Sequence, residues 1–94
     1  MRIEWTEPAR RDLRDIYLYI AKDNPYAARD LQAQIRERVT LLQGNPHLGR
    51  PGRVDGTREL VMSDNPHILP YRVRQDRSEI LAVYHGARVW PEQF

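Results

Sequence analysis

The chain has 94 residues and a mass of 11.1 kDa, the size of one small domain, and we expect residues 1–94 to fold as a single unit. Its net charge is only +2, because 15 basic residues oppose 13 acidic ones, and this balance argues against a protein that coats nucleic acid. The absence of cysteine excludes disulfide scaffolds, thiolate zinc sites and cysteine nucleophiles. All the basic residues except Lys22 are arginines, which suit planar carboxylates and phosphates.

Neither a targeting segment nor a membrane span is evident in the sequence. The longest apolar run, residues 16–21, is far shorter than a transmembrane helix, and the first residues lack the apolar core of a signal peptide. The three histidines have no spacing typical of metal ligands, and no phosphate-binding glycine loop is present. We therefore expect a cytoplasmic protein without membrane association, metal or other cofactor.

The first half of the chain predicts a short strand followed by a helical hairpin. Residues 1–5 alternate as a strand does, and Thr6 is placed to cap a first helix. Asn24 is placed to cap a second helix with Pro25 at its first position, and Gly44 to end that helix. The apolar residues of each helix share one face, as in an αα-hairpin: Ala9, Leu13, Ile16, Tyr17 and Ile20 in the first, and Ala28, Leu31, Ile35, Val39 and Leu42 in the second.

The second half of the chain predicts three strands. A connection rich in glycine and proline covers residues 44–56, and strands are predicted over residues 57–62, 67–74 and 79–85. Pro70 cannot donate a hydrogen bond to a neighbouring strand, which indicates an edge position or a bulge. The element order β-α-α-β-β-β predicts an α+β fold, in which the helix pair covers one face of a small antiparallel sheet.

Five arginines are candidates for binding an acidic partner or a phosphate. Arg58 and Arg72 lie within neighbouring predicted strands, where a long charged side chain must reach solvent or a partner. Glu59 and Glu79 are candidate partners of these two arginines, and solvated ion pairs worth less than about 1 kcal/mol each would explain the pattern equally well. The other three candidates lie in the glycine-rich connection and after the last strand: Arg50, Arg53 and Arg88.

His85 is the histidine best placed for chemistry. It ends the last predicted strand, where alternation puts Leu81 and Val83 on its own side, and it could transfer a proton beside Arg88. The alternative, which we favour from the pattern, is a histidine at a strand end that is bonded to a loop carbonyl. Neither serine lies in a nucleophile elbow.

Three apolar residues lie off the buried stripes of the helices: Leu18, Tyr19 and Leu41. Single exposed apolar residues need no functional explanation. Several of them on an adjacent helix pair could instead receive an amphipathic partner helix.

A series of short motifs runs through the second half of the chain: Gly49-Arg50-Pro51-Gly52-Arg53, Gly56-Thr57-Arg58-Glu59-Leu60-Val61, Tyr71-Arg72-Val73, Glu79-Ile80-Leu81, and His85-Gly86-Ala87-Arg88 with Trp90-Pro91. Together with the opening strand and helix, these motifs resemble the RelE/ParE superfamily, the toxin components of type II toxin–antitoxin modules. The resemblance covers essentially the whole chain and implies the same α+β fold.

One branch of this superfamily, the RelE type, consists of ribosome-dependent ribonucleases that place cations and proton-transfer groups around the scissile phosphate of mRNA. By the resemblance, Arg88 matches an arginine of those enzymes, and His85 and Arg72 are the other catalytic candidates. By the same resemblance, a catalytic arginine of the ribonucleases falls on Ile68 and their C-terminal tyrosine falls near Phe94, so both of these chemical groups are missing.

The motifs around Arg58 and Arg88 resemble the ParE branch more closely. That resemblance implies a toxin of the plasmid-stabilisation type that is not an enzyme, inhibits DNA gyrase, and is neutralised in a hetero-oligomer by a ParD-like antitoxin. Operator DNA would be contacted only through the antitoxin. The five arginines then become candidates for contact with an acidic partner, and Leu18, Tyr19 and Leu41 for the antitoxin surface. Two alternatives stay open: a RelE-type ribonuclease, and a degenerate toxin that acts only in antitoxin binding and operon autoregulation.

Overall fold

Two helices and six strands follow one another in the computed structural model, which describes residues 1–94. In chain order they are β1 (Arg2–Trp5), α1 (Glu7–Ala21), α2 (Pro25–Thr40), β2 (Arg50–Pro51), β3 (Arg58–Val61), β4 (His67–Val73), β5 (Arg77–Ile80) and β6 (Tyr84–His85). The α+β class and the helical hairpin are confirmed. Neither helix has the length and apolar character needed to cross a membrane.

Both predicted helix caps are present. The Thr6 hydroxyl accepts a hydrogen bond from the Ala9 N–H at 3.4 Å, and the Asn24 side chain accepts one from the Ala27 N–H at 3.1 Å. Each cap satisfies an N–H group that the first turn of a helix leaves without a partner. These local signals fix where α1 and α2 begin.

The end of α2 differs from the prediction. The helix stops at Thr40, and the chain tightens into a 3₁₀ turn over Leu41–Gln43 before Gly44. Gly44 has φ −94° and is therefore not in the left-handed conformation of a glycine that ends an α-helix. In this turn the Leu41 N–H donates to the Arg38 carbonyl and the Gly44 N–H to the Leu41 carbonyl, so no left-handed residue is needed to satisfy the helix end.

The six strands form one sheet in the order β1-β5-β4-β3-β2, and β6 also pairs with β4. The outer strand β1 runs parallel to β5, with Arg2 opposite Arg77 and Trp5 opposite Ile80. All the other pairs are antiparallel. The sheet is thus wider than the three antiparallel strands expected: β1 extends one edge, and β2 extends the other from within the predicted connection 44–56.

The predicted strand 79–85 is interrupted. Its first part, β5, begins at Arg77 and ends opposite Tyr71, and β6 resumes with Tyr84 opposite Ile68. Two residues of β4 therefore face the three residues 81–83, which is a β-bulge. The single strand expected over residues 79–85 is wrong, whereas the strands predicted at 57–62 and 67–74 agree with β3 and β4 to within one residue at each end.

Pro70 lies in β4 opposite this bulge. Its carbonyl accepts a hydrogen bond from the Leu81 N–H at 2.9 Å, and its nitrogen points to the same side of the strand, where regular pairing is interrupted. The strand has neighbours on both sides, so the edge position is wrong and the bulge is confirmed. A bulge tolerates a residue that cannot donate.

One hydrophobic core joins the two helices to the sheet. The inward stripes of α1 and α2 meet the buried residues of the central strands, and each fully buried Leu, Ile or Val side chain contributes roughly 1.5–3 kcal/mol relative to exposure. The core consists of Ala9, Leu13, Ile35, Val39, Leu42, Leu60, Met62, Leu69, Tyr71, Ile80 and Val83.

Candidate functional site

Glu59 of β3 is a buried carboxylate bound by two of the candidate arginines. One oxygen accepts hydrogen bonds from Arg50 Nη2 and Nε at 2.8 and 3.0 Å, and the other from the backbone N–H and Nε of Arg53 at 2.8 and 3.1 Å. Burial by itself would raise the pKa of Glu59, but these hydrogen bonds outweigh it and hold the pKa below the ordinary value. Arg50 and Arg53 therefore fasten the connection to the sheet.

Arg58 has a structural role in the same connection. Its guanidinium donates to the Gly49 carbonyl at 2.7 Å. The Tyr71 hydroxyl donates to the Pro46 carbonyl at 2.7 Å and accepts from the Gly49 N–H at 2.9 Å. A Cβ at position 49 would lie 2.6 Å from the Tyr71 ring, so only glycine permits this close approach. Glu59 is thus not a partner of Arg58, which binds backbone carbonyls instead.

Arg72 has no ion pair. It lies opposite Glu79 in the register of β4 and β5, but the Glu79 carboxylate is bonded to Arg74 at 2.8 Å and to Arg77 at 3.2 Å. Two neighbouring guanidinium groups thus occupy the expected partner of Arg72. The Arg72 side chain is half-buried and takes part in no side-chain hydrogen bond or ion pair.

Tyr84 is the centre of a cluster that sequence reasoning missed. The Arg88 guanidinium lies 4.1 Å from the centroid of its ring, Trp90 meets the ring edge-on at 5.2 Å, and Phe94 stacks on it at 6.2 Å. Ile68 is the residue paired with Tyr84 in the sheet. The structure therefore brings Arg88 and Phe94 to one ring and pairs its residue with Ile68, and of the three only Arg88 carries a charge.

Trp90 links this cluster to the arginines of the connection. The Arg53 guanidinium lies 3.8 Å from the centroid of the Trp90 ring, within the range of a cation–π contact, while its Nε remains bonded to Glu59. The contact joins two segments that are far apart in the chain. Local patterns carry no signal for it.

His85 does not occupy the surroundings expected from strand alternation. The bulge breaks the alternation, and Val83 is buried whereas His85 is exposed. The Nδ1 atom of His85 accepts a hydrogen bond from the Ala87 N–H at 3.1 Å, and no hydrogen bond joins the ring to the Arg88 side chain. The His85 ring is therefore hydrogen-bonded to an N–H group of the loop, and not to a loop carbonyl as expected.

His67 is the aromatic neighbour of His85. The two rings meet edge-to-face with their centroids 6.0 Å apart. Burial, together with the like charge of His85, holds the pKa of His67 below its ordinary value. The pair thus favours a neutral His67 near neutral pH.

The three apolar residues that lie off the helix stripes are exposed, as predicted: Leu18 by 54%, Tyr19 by 76% and Leu41 by 50%. Leu18 and Tyr19 lie near the hairpin turn, whereas Leu41 follows the far end of α2. A 16-residue helix such as α2 is about 24 Å long, so Leu41 is separated from the other two by roughly the length of the hairpin. The structure does not gather the three into one compact patch.

Comparison with known proteins places this α+β fold among the small toxins of type II toxin–antitoxin systems and specifies the family. Residues 3–90 match the family model described as the ParE toxin of the type II toxin–antitoxin system parDE. A Sinorhizobium fredii protein named "Putative toxin Y4kP" is 48% identical over 91 residues, covering 97% of this chain and 94% of the relative.

A solved structure of the chromosomal ParDE toxin–antitoxin system from P. aeruginosa is also similar. Its matched chain superposes with a TM-score of 0.81 at 34% identity, over 90% of this chain and 95% of that chain. The present chain belongs to the ParE toxin family of type II toxin–antitoxin systems.

Proposed function

We propose that this ParE-family toxin inhibits DNA gyrase, trapping it on cleaved DNA, rather than cutting mRNA. The cluster around Tyr84 carries the proposal. Ile68 pairs with Tyr84 across the sheet and Phe94 stacks on the Tyr84 ring. These two residues stand at or near the positions where the resembling ribonucleases place a catalytic arginine and tyrosine, and both offer only hydrocarbon. Arg88 by itself cannot both stabilise a phosphate transition state and transfer the protons that RNA cleavage requires. The other candidate for proton transfer, His85, accepts from the Ala87 N–H through Nδ1 and has no hydrogen bond to Arg88.

The candidate arginines divide into two groups. Arg50, Arg53 and Arg58 are engaged in holding the connection between helix and sheet, so their guanidinium groups are committed within the toxin. Arg72 and Arg88 have no ion pair and are our candidates for contact with the target. Arginine recognises carboxylates through paired, charge-assisted hydrogen bonds, which suits an acidic surface of a protein.

Purified gyrase and plasmid DNA provide the direct test. The toxin should suppress supercoiling and increase linear, protein-linked DNA in proportion to its concentration. In a parallel reaction with a translating extract, it should leave mRNA uncut. Unchanged gyrase activity would overturn the proposal, and codon-positioned mRNA cuts would replace it with the ribonuclease. Activity in neither assay, with unimpaired growth on expression without antitoxin, would identify a degenerate toxin.

We further propose that a ParD-like antitoxin neutralises the toxin by binding along the helical hairpin. Membership of a parDE family implies an antitoxin partner. Leu18 and Tyr19 at one end and Leu41 at the other are exposed apolar contacts for it. A partner helix that touches both ends needs about 16 residues, because each residue advances a helix by roughly 1.5 Å.

Variants at the two ends of the hairpin test this surface. Leu18→Ala and Leu41→Ala should each weaken toxin–antitoxin binding about tenfold, and toxin stability should change little because both side chains are half exposed. Val89→Ala is the matched control, since Val89 is 90% exposed but lies in the C-terminal segment. Equal affinities for all three variants, measured by calorimetry, would exclude the hairpin as the antitoxin surface. Operator DNA should bind the complex but not the isolated toxin.

A further inference from the structure

A hollow of about 410 Å³ lies between the two helices and β1, away from the Tyr84 cluster. Such a volume is in the range of small-molecule sites. Its lining combines three guanidinium groups, two aromatic rings and one amide, contributed by Arg10, Arg14, Arg36, Trp5, Tyr17 and Gln32.

The positive charge in this hollow is largely uncompensated. Neither Arg10 nor Arg36 forms an ion pair, and Arg14 only approaches its sequence neighbour Asp15, at 3.9 Å. Arg10 and Arg14 are one helical turn apart, where like charges destabilise a helix. The neighbouring carboxylate, Glu7, forms no ion pair with them. On the sheet, by contrast, carboxylates neutralise most of the arginines.

The aromatic groups give the hollow a second kind of contact. The Arg36 guanidinium lies 5.6 Å from the centroid of the half-buried Trp5 ring, and the Tyr17 ring forms another part of the wall. Arginine stacks on planar rings and also binds phosphate through forked hydrogen bonds. The Gln32 amide can both donate to a ligand and accept from it.

We propose that this hollow binds a nucleotide unit, with its base beside Trp5 and Arg36 and its phosphate on Arg10 and Arg14. A phosphate alone would leave the aromatic wall unused, and an aromatic ring alone would leave the guanidinium groups without an anion. A free nucleotide and one nucleotide of a single strand share this chemistry. This site is separate from the Tyr84 cluster and does not depend on the identity of the toxin's target.

Fluorescence of Trp5 reports on the site directly. The chain has two tryptophans, so Trp90→Phe leaves Trp5 as the only one and keeps an aromatic ring against Tyr84. We expect saturable quenching by adenosine monophosphate or by a short oligothymidylate, and weaker binding as salt increases. Inorganic phosphate alone should quench little. In the unmodified toxin, the indole N–H resonance of Trp5 gives the same titration should Trp90→Phe fail to fold.

Charge variants establish where the ligand binds. Arg10→Gln and Arg36→Gln should each weaken binding about fivefold to tenfold, because each removes a charge-assisted contact. Arg29→Gln removes the same charge from an exposed position on α2 outside the hollow and should bind like the parent. Binding by the mononucleotide would identify a free ligand, and binding by the oligonucleotide alone a nucleic-acid strand.

Three results would overturn the proposal. The first is the absence of saturation at millimolar nucleotide, and the second is an equal loss of affinity in Arg29→Gln. The third is competition by a short polyglutamate peptide as effective as that of the oligonucleotide, which would identify a surface for acidic peptides. None of these results bears on gyrase inhibition, so the two proposals can fail separately.

Discussion

At the scale of single residues, Glu59 is the most consequential charge in the toxin. Its carboxylate is 2% exposed and accepts four hydrogen bonds from Arg50 and Arg53. Replacing it with glutamine keeps the shape but removes the charge and leaves donors unmatched. We expect Glu59→Gln to lower the free energy of unfolding by about 2–3 kcal/mol in urea denaturation. Glu92→Gln, at an exposed position without an ion pair, should change it little, and equal values for the two variants would contradict the structural role.

His67 gives the toxin a pH-dependent stability near neutrality. Because the pKa of His67 is lowered in the folded state, the unfolded chain takes up a proton at a higher pH than the folded one. The contribution of His67 to the free energy of unfolding is fully present above the unfolded-state pKa of 6.5, and it is lost as the pH falls below that value. Unfolding measured from pH 7.5 to 5.5 should show this decline, and His67→Gln should flatten it.

A variant at an exposed histidine serves as the control that distinguishes the contribution of His67 to this pH dependence from that of the other histidines. His47 is exposed, and His47→Gln should leave the decline between pH 7.5 and 5.5 in place. The same slope in wild type and His67→Gln would show that another group causes the pH dependence.

The Glu59 carboxylate affects stability in a lower pH range. Because its pKa is lowered in the folded state, the free energy of unfolding decreases as the pH falls below about 4.5.

At the scale of elements, Thr6 fastens the start of α1 to the end of β5. Its hydroxyl donates to the Ile80 carbonyl at 2.7 Å and accepts from the Ala9 N–H, so one side chain serves both a helix cap and the sheet. We expect Thr6→Ala to cost about 1–2 kcal/mol in thermal or urea unfolding, and Thr6→Ser to cost much less. Thr40→Ala is a suitable control, because the exposed Thr40 bonds only to a carbonyl of its own helix. A Thr6→Ala loss no greater than that of Thr40→Ala would deny the double role.

The elements that sequence predicts best are those whose signals are local. Thr6 and Asn24 cap helices through N–H groups three residues away, so a short motif carries the whole interaction. The break in the strand at residues 81–83 depends on pairing with β4, and the apolar residues on either side of it look like one continuous strand. The parallel pairing of β1 with β5 is likewise invisible locally, because the two strands come from opposite ends of the chain.

At the scale of the whole molecule, the same distinction explains how far the candidate site could be predicted. The sequence identifies the arginines but not their partners. Glu59 lies next to Arg58 in the chain yet is bound by Arg50 and Arg53, because the adjacent strand β2 folds back over it. Trp90 meets Arg53 only after the C-terminal segment has packed against β6. Contacts between segments that are distant in the chain thus determine which arginines remain available to a partner protein.

That division of the arginines leads to a prediction for the intact toxin. Arg72 and Arg88 have no ion pair, so Arg72→Gln and Arg88→Gln should each reduce the proposed gyrase inhibition at least tenfold while unfolding free energies change by less than about 1 kcal/mol. Arg58→Gln removes the same charge but leaves the Gly49 carbonyl without its donor, so it should destabilise the fold. Supercoiling assays and urea unfolding on the three variants compare the two effects. If Arg72→Gln and Arg88→Gln inhibit gyrase as wild type does, the target surface lies elsewhere on the toxin.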